Sequence, residues 1–468
     1  MRDVYVIGAH TIKFGKYIEK SIKDLSAMTV IPCLKEANLD KKNIQALWFS
    51  NSAWGYYGSQ DCIRAQCALR PIGIESIPMT NVENACAGGS TAFHHAWIGV
   101  ASGLYDITMA VGAEKLNHPN KMKIFAGFLT GLDIENIGNN IDNMTFFFMT
   151  DEDKKNMKEC MAKYSAQVKK EKGKKKRKQS LKEKLDEYYN MFTVYIHLKD
   201  NLGNETVNKL RRMMGGGDHS PFMDVYAYAA RQHMKKFGST FEQLGIIASK
   251  NHFHSSLNPN AQYNFVVTPE QVLADRMVSW PFTRAMCAPI GDGAASAILC
   301  DEETVKRLGL TSQAVKVRAS ILGSGRERSF DDMDIGERLS KIAYEKAGLG
   351  PQDMHFAEVH DATAYGELHQ SEALGFCKEG DGGIFAESGA TKLGGKIPIN
   401  VSGGLESRGH PIGASGLAQL HELVTQLRGN AGARQVKGAK IAIAENGGGA
   451  LGQEEAAMCI HILEAPSK

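Results

Sequence analysis

The stretch NVENACAGGSTAFHHAWIGVASG, residues 81–103, decides the fold and holds the first candidate for chemistry. A short run ends at Ala85 and delivers Cys86 to small residues that let the backbone turn tightly. Residues 90–100 are predicted to form a helix, so Cys86 lies at a helix start. The unpaired N–H groups and positive dipole end there favour thiolate, the form that attacks a carbonyl carbon. A buried structural cysteine is the alternative.

Predicted strands and helices alternate on both sides of this stretch. Residues 1–8 form an apolar strand pattern, and residues 22–37 carry apolar side chains at helical spacing. Further strands are predicted at 46–49 and at 107–111. Strands that alternate with helices of this length predict a layered α/β fold.

The same order of elements returns in the second half of the chain. Residues 345–362 can be laid on residues 35–52 at an offset of 310. At an offset of 324, Cys86 meets His410, and each is followed by small residues and a predicted helix. The sequence therefore predicts a duplicated unit with both residues at strand-to-helix turns facing one cleft. A chance match is the alternative at this low level of likeness.

Composition is that of an ordinary globular protein. The chain has 468 residues, of which 43% are hydrophobic and 23% charged, and its net charge is +3. This length allows two or three domains and a large core. No apolar run approaches the roughly 20 residues that span a bilayer, and residues 1–16 do not resemble a signal peptide. We expect a cytoplasmic protein with neither a membrane nor nucleic acid as partner.

The nine cysteines are scattered along the chain without CxxC pairs. Their spacing indicates neither a zinc site nor a disulfide framework. We therefore expect a reducing compartment and no metal ion.

Three motifs, in the family's order, resemble the thiolase superfamily. Residues 84–116 resemble its nucleophile segment. Residues 358–361, Glu-Val-His-Asp, resemble the His-Asp motif of sterol-carrier-protein-X type thiolases. Residues 409–416, Gly-His-Pro-Ile-Gly-Ala-Ser-Gly, resemble the thiolase Gly-His-Pro motif. The likeness covers roughly residues 1–118 and 220–463.

The resemblance implies the thiolase fold: two duplicated βαβαβαββ halves in a five-layer α-β-α-β-α arrangement with an inserted loop domain. The implied domains are an N-terminal half at 1–118 completed by 266–302, a loop domain at 119–265, and a C-terminal half at 303–468.

The implied loop domain contains a Lys-rich helical insertion at about 151–217, with a run of lysines at 169–178. One interpretation is a solvated helical excursion. The other is a basic lip that meets the phosphates of coenzyme A or an acidic partner.

Acyl transfer between thiols needs a nucleophile, a base and donors for an oxyanion. The resemblance implies that Cys86 is the nucleophile, His410 its base and His360 a donor to an enolate oxyanion. A turn residue at His410 and a packing residue at His360 are the alternatives. The resemblance also implies that the N–H groups of Gly447 and Cys86 form the other oxyanion hole. Further substrate or coenzyme A contacts are expected at Ser415, Gly448, Gly449 and His252.

The chain departs from the family at the second cysteine, which moves the substrate α-proton. The two positions where the family holds it are Ala362 and Glu445 here. Glu445 could be the acid/base if an apolar cleft raises its pKa, or it could be a hydrogen-bonding residue.

The resemblance implies an acyltransferase that cleaves a 3-oxoacyl-CoA with coenzyme A, or runs the reverse Claisen condensation, through an acyl-enzyme on Cys86. Coenzyme A is then a co-substrate, with no permanently bound cofactor. The altered second-cysteine position favours an unusual substrate, and an aromatic one such as benzoylsuccinyl-CoA of anaerobic toluene degradation is one expectation. A homodimer core and a small zinc-ribbon/OB-fold partner chain are also implied.

Two other functions stay open at this point. A decarboxylating or synthase-type condensing enzyme of the same superfamily would not need α-proton transfer, which fits the missing cysteine. A non-catalytic acyl-CoA-binding subunit is the other alternative, against which the retained Cys86, His360 and His410 argue.

Overall fold

The computed structural model describes residues 1–119, 121–133, 149–168 and 220–466. The predicted lysine run at 169–178 lies outside the described residues, as does most of the predicted insertion. None of the described helices has the length and apolar character needed to cross a bilayer.

Eleven strands lie within the described ranges. They are β1 (Val4–Thr11), β2 (Ala46–Ser50), β3 (Met79–Val82), β4 (Ile107–Lys115), β5 (Met277–Ser279), β6 (Phe282–Thr283), β7 (Asp292–Asp301), β8 (Val315–Ser324), β9 (Phe356–Glu358), β10 (Ile441–Gly448) and β11 (Ala457–Glu464).

The α-helices alternate with these strands. They are α1 (Ile22–Glu36), α2 (Trp54–Gly58), α3 (Arg64–Leu69), α4 (Gly88–Ala101), α5 (Lys121–Phe128), α6 (Asp151–Val168), α7 (Pro221–Phe237), α8 (Phe241–Ser256), α9 (Pro269–Leu273), α10 (Glu302–Arg307), α11 (Ile335–Ala347), α12 (Ala364–Ala373), α13 (Gly382–Glu387) and α14 (Ile412–Leu427).

Nine of the strands form one sheet in the order β3-β2-β4-β7-β1-β8-β11-β10-β9. In the N-terminal half β2 pairs in parallel with β4, and β7 runs antiparallel to both β4 and β1. In the C-terminal half β9 pairs in parallel with β10, and β11 runs antiparallel to both β10 and β8. A parallel bridge between Ala357 and Ile399 takes the place of the β2–β3 pairing. One topology is thus repeated in mirror order, which confirms the predicted duplication.

Both offsets from the sequence recur in the element starts. Strands β2 and β9 start at Ala46 and Phe356, and helices α4 and α14 start at Gly88 and Ile412. The two halves join where β1 meets β8, through the pairs Tyr5 with Lys316 and Val6 with Val315.

Helices occupy three layers around the two halves of the sheet. Helix α1 packs on β1 and β7, helix α11 packs on β8 and β11, and α4 and α14 pack on each other between the halves. Helix α14 buries residues on every side, as expected of a helix covered on all faces. The result is the predicted five-layer α-β-α-β-α arrangement.

Glycines bring the two central helices close together. A Cβ atom at Gly89 of α4 would lie 3.0 Å from the carbonyl oxygen of Gly413 and 3.1 Å from the backbone nitrogen of Leu417. A Cβ atom at Gly112 of β4 would overlap the same carbonyl oxygen of Gly413. Larger residues would therefore push α14 away from the N-terminal half.

We expect Gly112→Ala to destabilise the protein, because its methyl group would collide with Gly413 and lie 3.0 Å from the Cα atom of Ala414. Overpacking of this kind lowers the free energy of unfolding by about 1–3 kcal/mol. Chemical denaturation followed by circular dichroism measures the change. Gly15→Ala is the control, because no atom lies within 4 Å of its Cβ position. Equal stability of the two variants would contradict the close packing of α14 against β4.

Candidate active site

Cys86 lies in a single turn of 3₁₀ helix, Ala85–Ala87, between β3 and the start of α4. The preceding Ala85 has a φ of +46°, a left-handed conformation that strains a non-glycine residue and is found at functional turns. The Cys86 side chain is partly buried and borders a cavity of about 880 Å³. His410, Ala362, Gly448 and Gly449 also line this cavity, which we call the Cys86 cavity.

His410 contacts the thiol directly, with its Nε2 atom 3.2 Å from Sγ of Cys86. Its other nitrogen, Nδ1, lies 2.7 Å from the hydroxyl oxygen of Ser415. That hydroxyl donates its proton to the carbonyl oxygen of Pro411, at 3.1 Å, so it can only accept from Nδ1–H. The neutral imidazole therefore has its lone pair on Nε2, facing the thiol. This arrangement suits a base that removes the thiol proton.

Burial governs the pKa values of this pair. It raises the pKa of the Cys86 thiol to about 12, and the carboxylates of Glu83 and Glu114 add to the rise. Burial also lowers the pKa of His410 well below its usual range, with further lowering by His360 and Arg408. The resting pair is a neutral thiol beside a neutral imidazole. The shift of the thiol pKa is opposite to the one predicted from the helix start, because desolvation outweighs the helix dipole.

His360 completes the group around the sulfur. The Sγ atom of Cys86 and a ring nitrogen of each of His360 and His410 lie within 4.8 Å of one another. Among the described residues, these three form the group whose spacing would allow a metal ion to bind. Asn446 donates to Nδ1 of His360 at 3.1 Å, and Ser90 donates to the amide oxygen of Asn446 at 3.0 Å. Because Nδ1 of His360 accepts a hydrogen bond in this series, the proton of the neutral ring is on Nε2.

The Nε2 atom of His360 is buried without a partner among the described residues. Burial lowers the pKa of His360 to about 4, so the ring is neutral at physiological pH. A neutral imidazole with a free N–H is a suitable donor to an oxyanion. Asn446 and Ser90, which orient this ring, were missed by the sequence analysis, although Asn446 directly precedes the predicted glycine run.

The glycine run lies against the backbone of Cys86. A Cβ atom at Gly448 would lie 2.8 Å from the backbone nitrogen of Cys86, and the Gly449 backbone lowers the pKa of the Cys86 thiol by hydrogen bonding. Gly447 lies one residue earlier, paired with Met458 in the sheet. Gly448 and Gly449 line the Cys86 cavity, whereas Gly447, the glycine expected to be the second oxyanion donor, is not among its lining residues.

Glu445 lies behind His360. Its Oε2 atom accepts a hydrogen bond of 2.9 Å from the backbone N–H of His360, and Oε1 has no partner among the described residues. Burial raises the pKa of Glu445 to about 8, against the opposing effect of the His360 N–H, so the carboxyl holds a proton at neutral pH. The predicted rise in pKa is present, but Glu445 is fully buried and is not among the described residues that line the Cys86 cavity.

His252 and Ser415 differ from their predicted roles as substrate contacts. His252 is 1% exposed, and its ring nitrogens lie 3.0 Å from the Ser407 hydroxyl and 3.3 Å from the Ala285 carbonyl. It is not among the described residues that line the Cys86 cavity. The structure gives His252 a packing role, and it gives Ser415 the role of orienting His410.

Glu114, at the end of β4, joins the two halves beside the site. Its carboxylate accepts hydrogen bonds from the backbone N–H groups of Ser52, Ala53 and Gly413, at 2.9, 3.1 and 3.2 Å. Burial raises the pKa of Glu114 to about 6 despite these donors. Glu114 lies within residues 84–116, the stretch that resembles the family's nucleophile segment, but nothing in that resemblance assigned it a role.

Comparisons with known proteins find relatives over most of the chain. Residues 4–174 match the family model described as thiolase, N-terminal domain, and residues 330–462 match thiolase C-terminal domain-like. The chain is 32% identical to the acetyl-CoA acetyltransferase of Methanothermobacter thermautotrophicus, over 97% of this chain and 98% of that protein. It is 29% identical to the benzoylsuccinyl-CoA thiolase subunit BbsB of Thauera aromatica, over 93% and 92% of the two chains.

Solved structures share the fold at lower sequence identity. Human mitochondrial 3-ketoacyl-CoA thiolase aligns with a TM-score of 0.64 and 16% identity, over 100% of this chain and 99% of that chain. The Ltp2-ChsH2(DUF35) aldolase aligns with a TM-score of 0.68 and 18% identity, over 100% and 98%.

We expect the alkylation rate of Cys86 by iodoacetamide to keep rising from pH 6 to pH 9.5, because only the thiolate reacts and burial raises the thiol pKa to about 12. The rate with N-acetylcysteine, measured in parallel, should level off above its pKa of about 8.5. Peptide mass spectrometry of quenched samples isolates the modification of Cys86. A plateau below pH 8 would instead indicate a resting thiolate–imidazolium pair.

Proposed function

The chain belongs to the thiolase superfamily and is an acyltransferase, and we propose that it cleaves a 3-oxoacyl-CoA with coenzyme A through an acyl-enzyme on Cys86. Claisen condensation is the reverse direction on the same residues. The observation that carries the proposal is the 3.2 Å contact between Cys86 and a His410 whose lone pair faces the sulfur. A thiol and a base in this relation form the first half of an acyl-transfer site.

In the proposed first step, Nε2 of His410 takes the thiol proton as the sulfur of Cys86 attacks the 3-oxo carbonyl carbon. The oxyanion accepts hydrogen bonds from backbone N–H groups of the Cys86 turn and the glycine run. The bond between the α-carbon and the 3-oxo carbon then breaks, its electrons pass to the thioester enolate, and the acyl group stays on sulfur. The free Nε2–H of His360 would stabilise that enolate.

A proton must reach the α-carbon of the enolate before the shortened acyl-CoA leaves. We propose that Glu445 supplies it, because its raised pKa of about 8 lets the carboxyl both hold and release a proton near neutral pH. Glu445 lies behind His360 and outside the cavity wall, so the proton would pass through a water held by His360. The Glu445 carboxylate then takes the thiol proton of coenzyme A, whose sulfur attacks the acyl-enzyme. As the new acyl-CoA forms, the sulfur of Cys86 leaves and takes its proton back from the His410 imidazolium, which restores all three groups.

The finer proposals concern substrate, partners and location. The 29% identity to a benzoylsuccinyl-CoA thiolase subunit supports a bulky aromatic substrate of that kind and the use of a second subunit.

We propose a homodimer core with a small zinc-ribbon/OB-fold partner, and the name of the Ltp2-ChsH2(DUF35) aldolase, which joins two proteins, supports a partner chain. All nine cysteines are free thiols, which supports a cytoplasmic location.

One observation favours a second candidate, a decarboxylating or synthase-type condensing enzyme. Ala362 lines the Cys86 cavity at a position where the family holds its second cysteine. Loss of carbon dioxide would create the enolate without an acid/base at this point. The paired Cys86 and His410 argue against a non-catalytic subunit.

We expect incubation with acetyl-CoA to add one acetyl group to Cys86, detectable by mass spectrometry of the intact protein and its peptides. Cys86→Ser should lose the adduct and lower turnover of acetoacetyl-CoA by about 10³-fold or more, since a neutral hydroxyl is a far weaker nucleophile. Cys287→Ser is the matched control, because Cys287 also lines the cavity and should leave acetylation of Cys86 in place. Near-normal turnover by Cys86→Ser would refute the mechanism.

We expect Glu445→Gln to keep acetylation of Cys86 while suppressing exchange of the acetyl-CoA α-protons with deuterated water. The amide preserves the shape of the protonated carboxyl and its bond to the His360 backbone, but it cannot exchange a proton. Nuclear magnetic resonance follows the exchange, and mass spectrometry follows acetylation in the same samples. Exchange at the wild-type rate would remove Glu445 from the mechanism.

A further inference from the structure

A second cavity of about 480 Å³ adjoins the Cys86 cavity. The two share Phe222, Tyr226 and Gly449 in their walls. A volume of this size is in the range of small-molecule sites. Aromatic rings supply much of the wall of the second cavity: Tyr226, Tyr228, Phe237, Phe330, Tyr344 and Tyr365.

Tyr226, on α7, stands at the junction of the two cavities. Its hydroxyl has no hydrogen-bond partner among the described residues, although the side chain is largely covered. Burial raises the pKa of Tyr226 well above its usual range, and Cys86 and Glu455 add to the rise. The hydroxyl therefore keeps its proton, faces both cavities and is free to donate to a bound molecule.

Glu455 is the second polar group in this wall without a partner. Its side chain lies over Gly447, where a Cβ atom would be 2.9 Å from its Cγ atom, and its carboxyl bonds to no other described residue. Burial raises the pKa of Glu455, and an oxygen of its carboxyl group can accept a hydrogen bond whether or not the group is protonated.

The other charges of the second cavity are paired. His369 contacts Asp334, the Arg328 guanidinium lies 3.0 Å from Glu454, and His233 lies 3.1 Å from Glu372. The Tyr365 hydroxyl, which also lines this cavity, has no hydrogen-bond partner among the described residues either. A ligand in the second cavity would therefore meet three unpaired polar side chains, those of Tyr226, Tyr365 and Glu455.

We propose that the second cavity binds the part of the acyl group remote from the thioester, and that Tyr226 and Glu455 select acyl groups that carry a hydroxyl group there. The proposal rests on the acyl-CoA chemistry argued above for Cys86. A site with unpaired polar side chains discriminates against a ligand that covers them without a hydrogen bond. A plain alkyl acyl group would do so, whereas a hydroxyl group would accept a hydrogen bond from Tyr226 and donate one to Glu455.

Two probes of equal chain length test the selection, hexanoyl-CoA and 5-hydroxyhexanoyl-CoA. Isothermal titration calorimetry on full-length Cys86→Ala measures their affinities without any chemistry at sulfur. We expect about tenfold tighter binding of 5-hydroxyhexanoyl-CoA, the value of one hydrogen bond. Adding Tyr226→Phe or Glu455→Leu should reduce this ratio to about twofold, and Glu455→Gln should restore it. Acetyl-CoA affinity, measured for every variant in the same way, is the reference against which the affinities of the two probes are compared.

Tyr164→Phe is the control for damage to the helical layer. Tyr164 packs in the same apolar cluster as Tyr226, but its hydroxyl bonds to Glu242 and it lines neither cavity. This control should keep the tenfold ratio. Equal affinity of the two probes, or a ratio that survives Tyr226→Phe and Glu455→Leu, would overturn the proposal. A preserved ratio without acetylation of wild-type Cys86 would refute the proposed reaction and leave the acyl site standing.

Discussion

The close approach of helices α4 and α14 is the constraint on which the site depends. Cys86 and His410 each lie two residues before the start of one of these helices, so the separation of the helices sets the distance from sulfur to imidazole. Glycines on both sides permit the approach, because a side chain at Gly89 or Gly112 would meet the backbone around Gly413. Chemistry at the sulfur is thus a consequence of backbone packing in the middle layer.

Desolvation is the second theme of the site. The same burial that holds the groups in place raises the pKa values of Cys86 and Glu445 and lowers those of His360 and His410. Every member of the resting site is therefore neutral at physiological pH. Charge arises only as the proton moves from sulfur to imidazole, in surroundings where fixed N–H groups are ready to stabilise an oxyanion. A resting ion pair would instead carry its desolvation penalty in every unliganded molecule.

Much of this could be predicted from the sequence, for identifiable reasons. The sequence offsets of 310 and 324 identified corresponding turns in the two halves, because a duplicated topology preserves the spacing between a strand and the helix after it. The His-Asp motif identified His360. The role of Ser415 in orienting His410 could not be predicted, because it depends on the Ser415 hydroxyl donating its proton to the carbonyl oxygen of Pro411. His252 was misjudged because a histidine on a helix gives no sign of which partners will bury it. Tyr226 comes from a helix far away in sequence, and only tertiary packing brings it to the cavities.

The mirror-order sheet has a consequence for which residues can occupy the two turns that carry Cys86 and His410. A symmetric pair of identical units would put the same side chain at both turns, giving two thiols or two imidazoles and never a nucleophile beside its base. Because both copies lie in one chain, each turn is encoded separately, and one has become cysteine while the other has become histidine. Fusion of the two copies in one chain therefore allows two different side chains to meet at a centre where two identical subunits would place the same side chain twice.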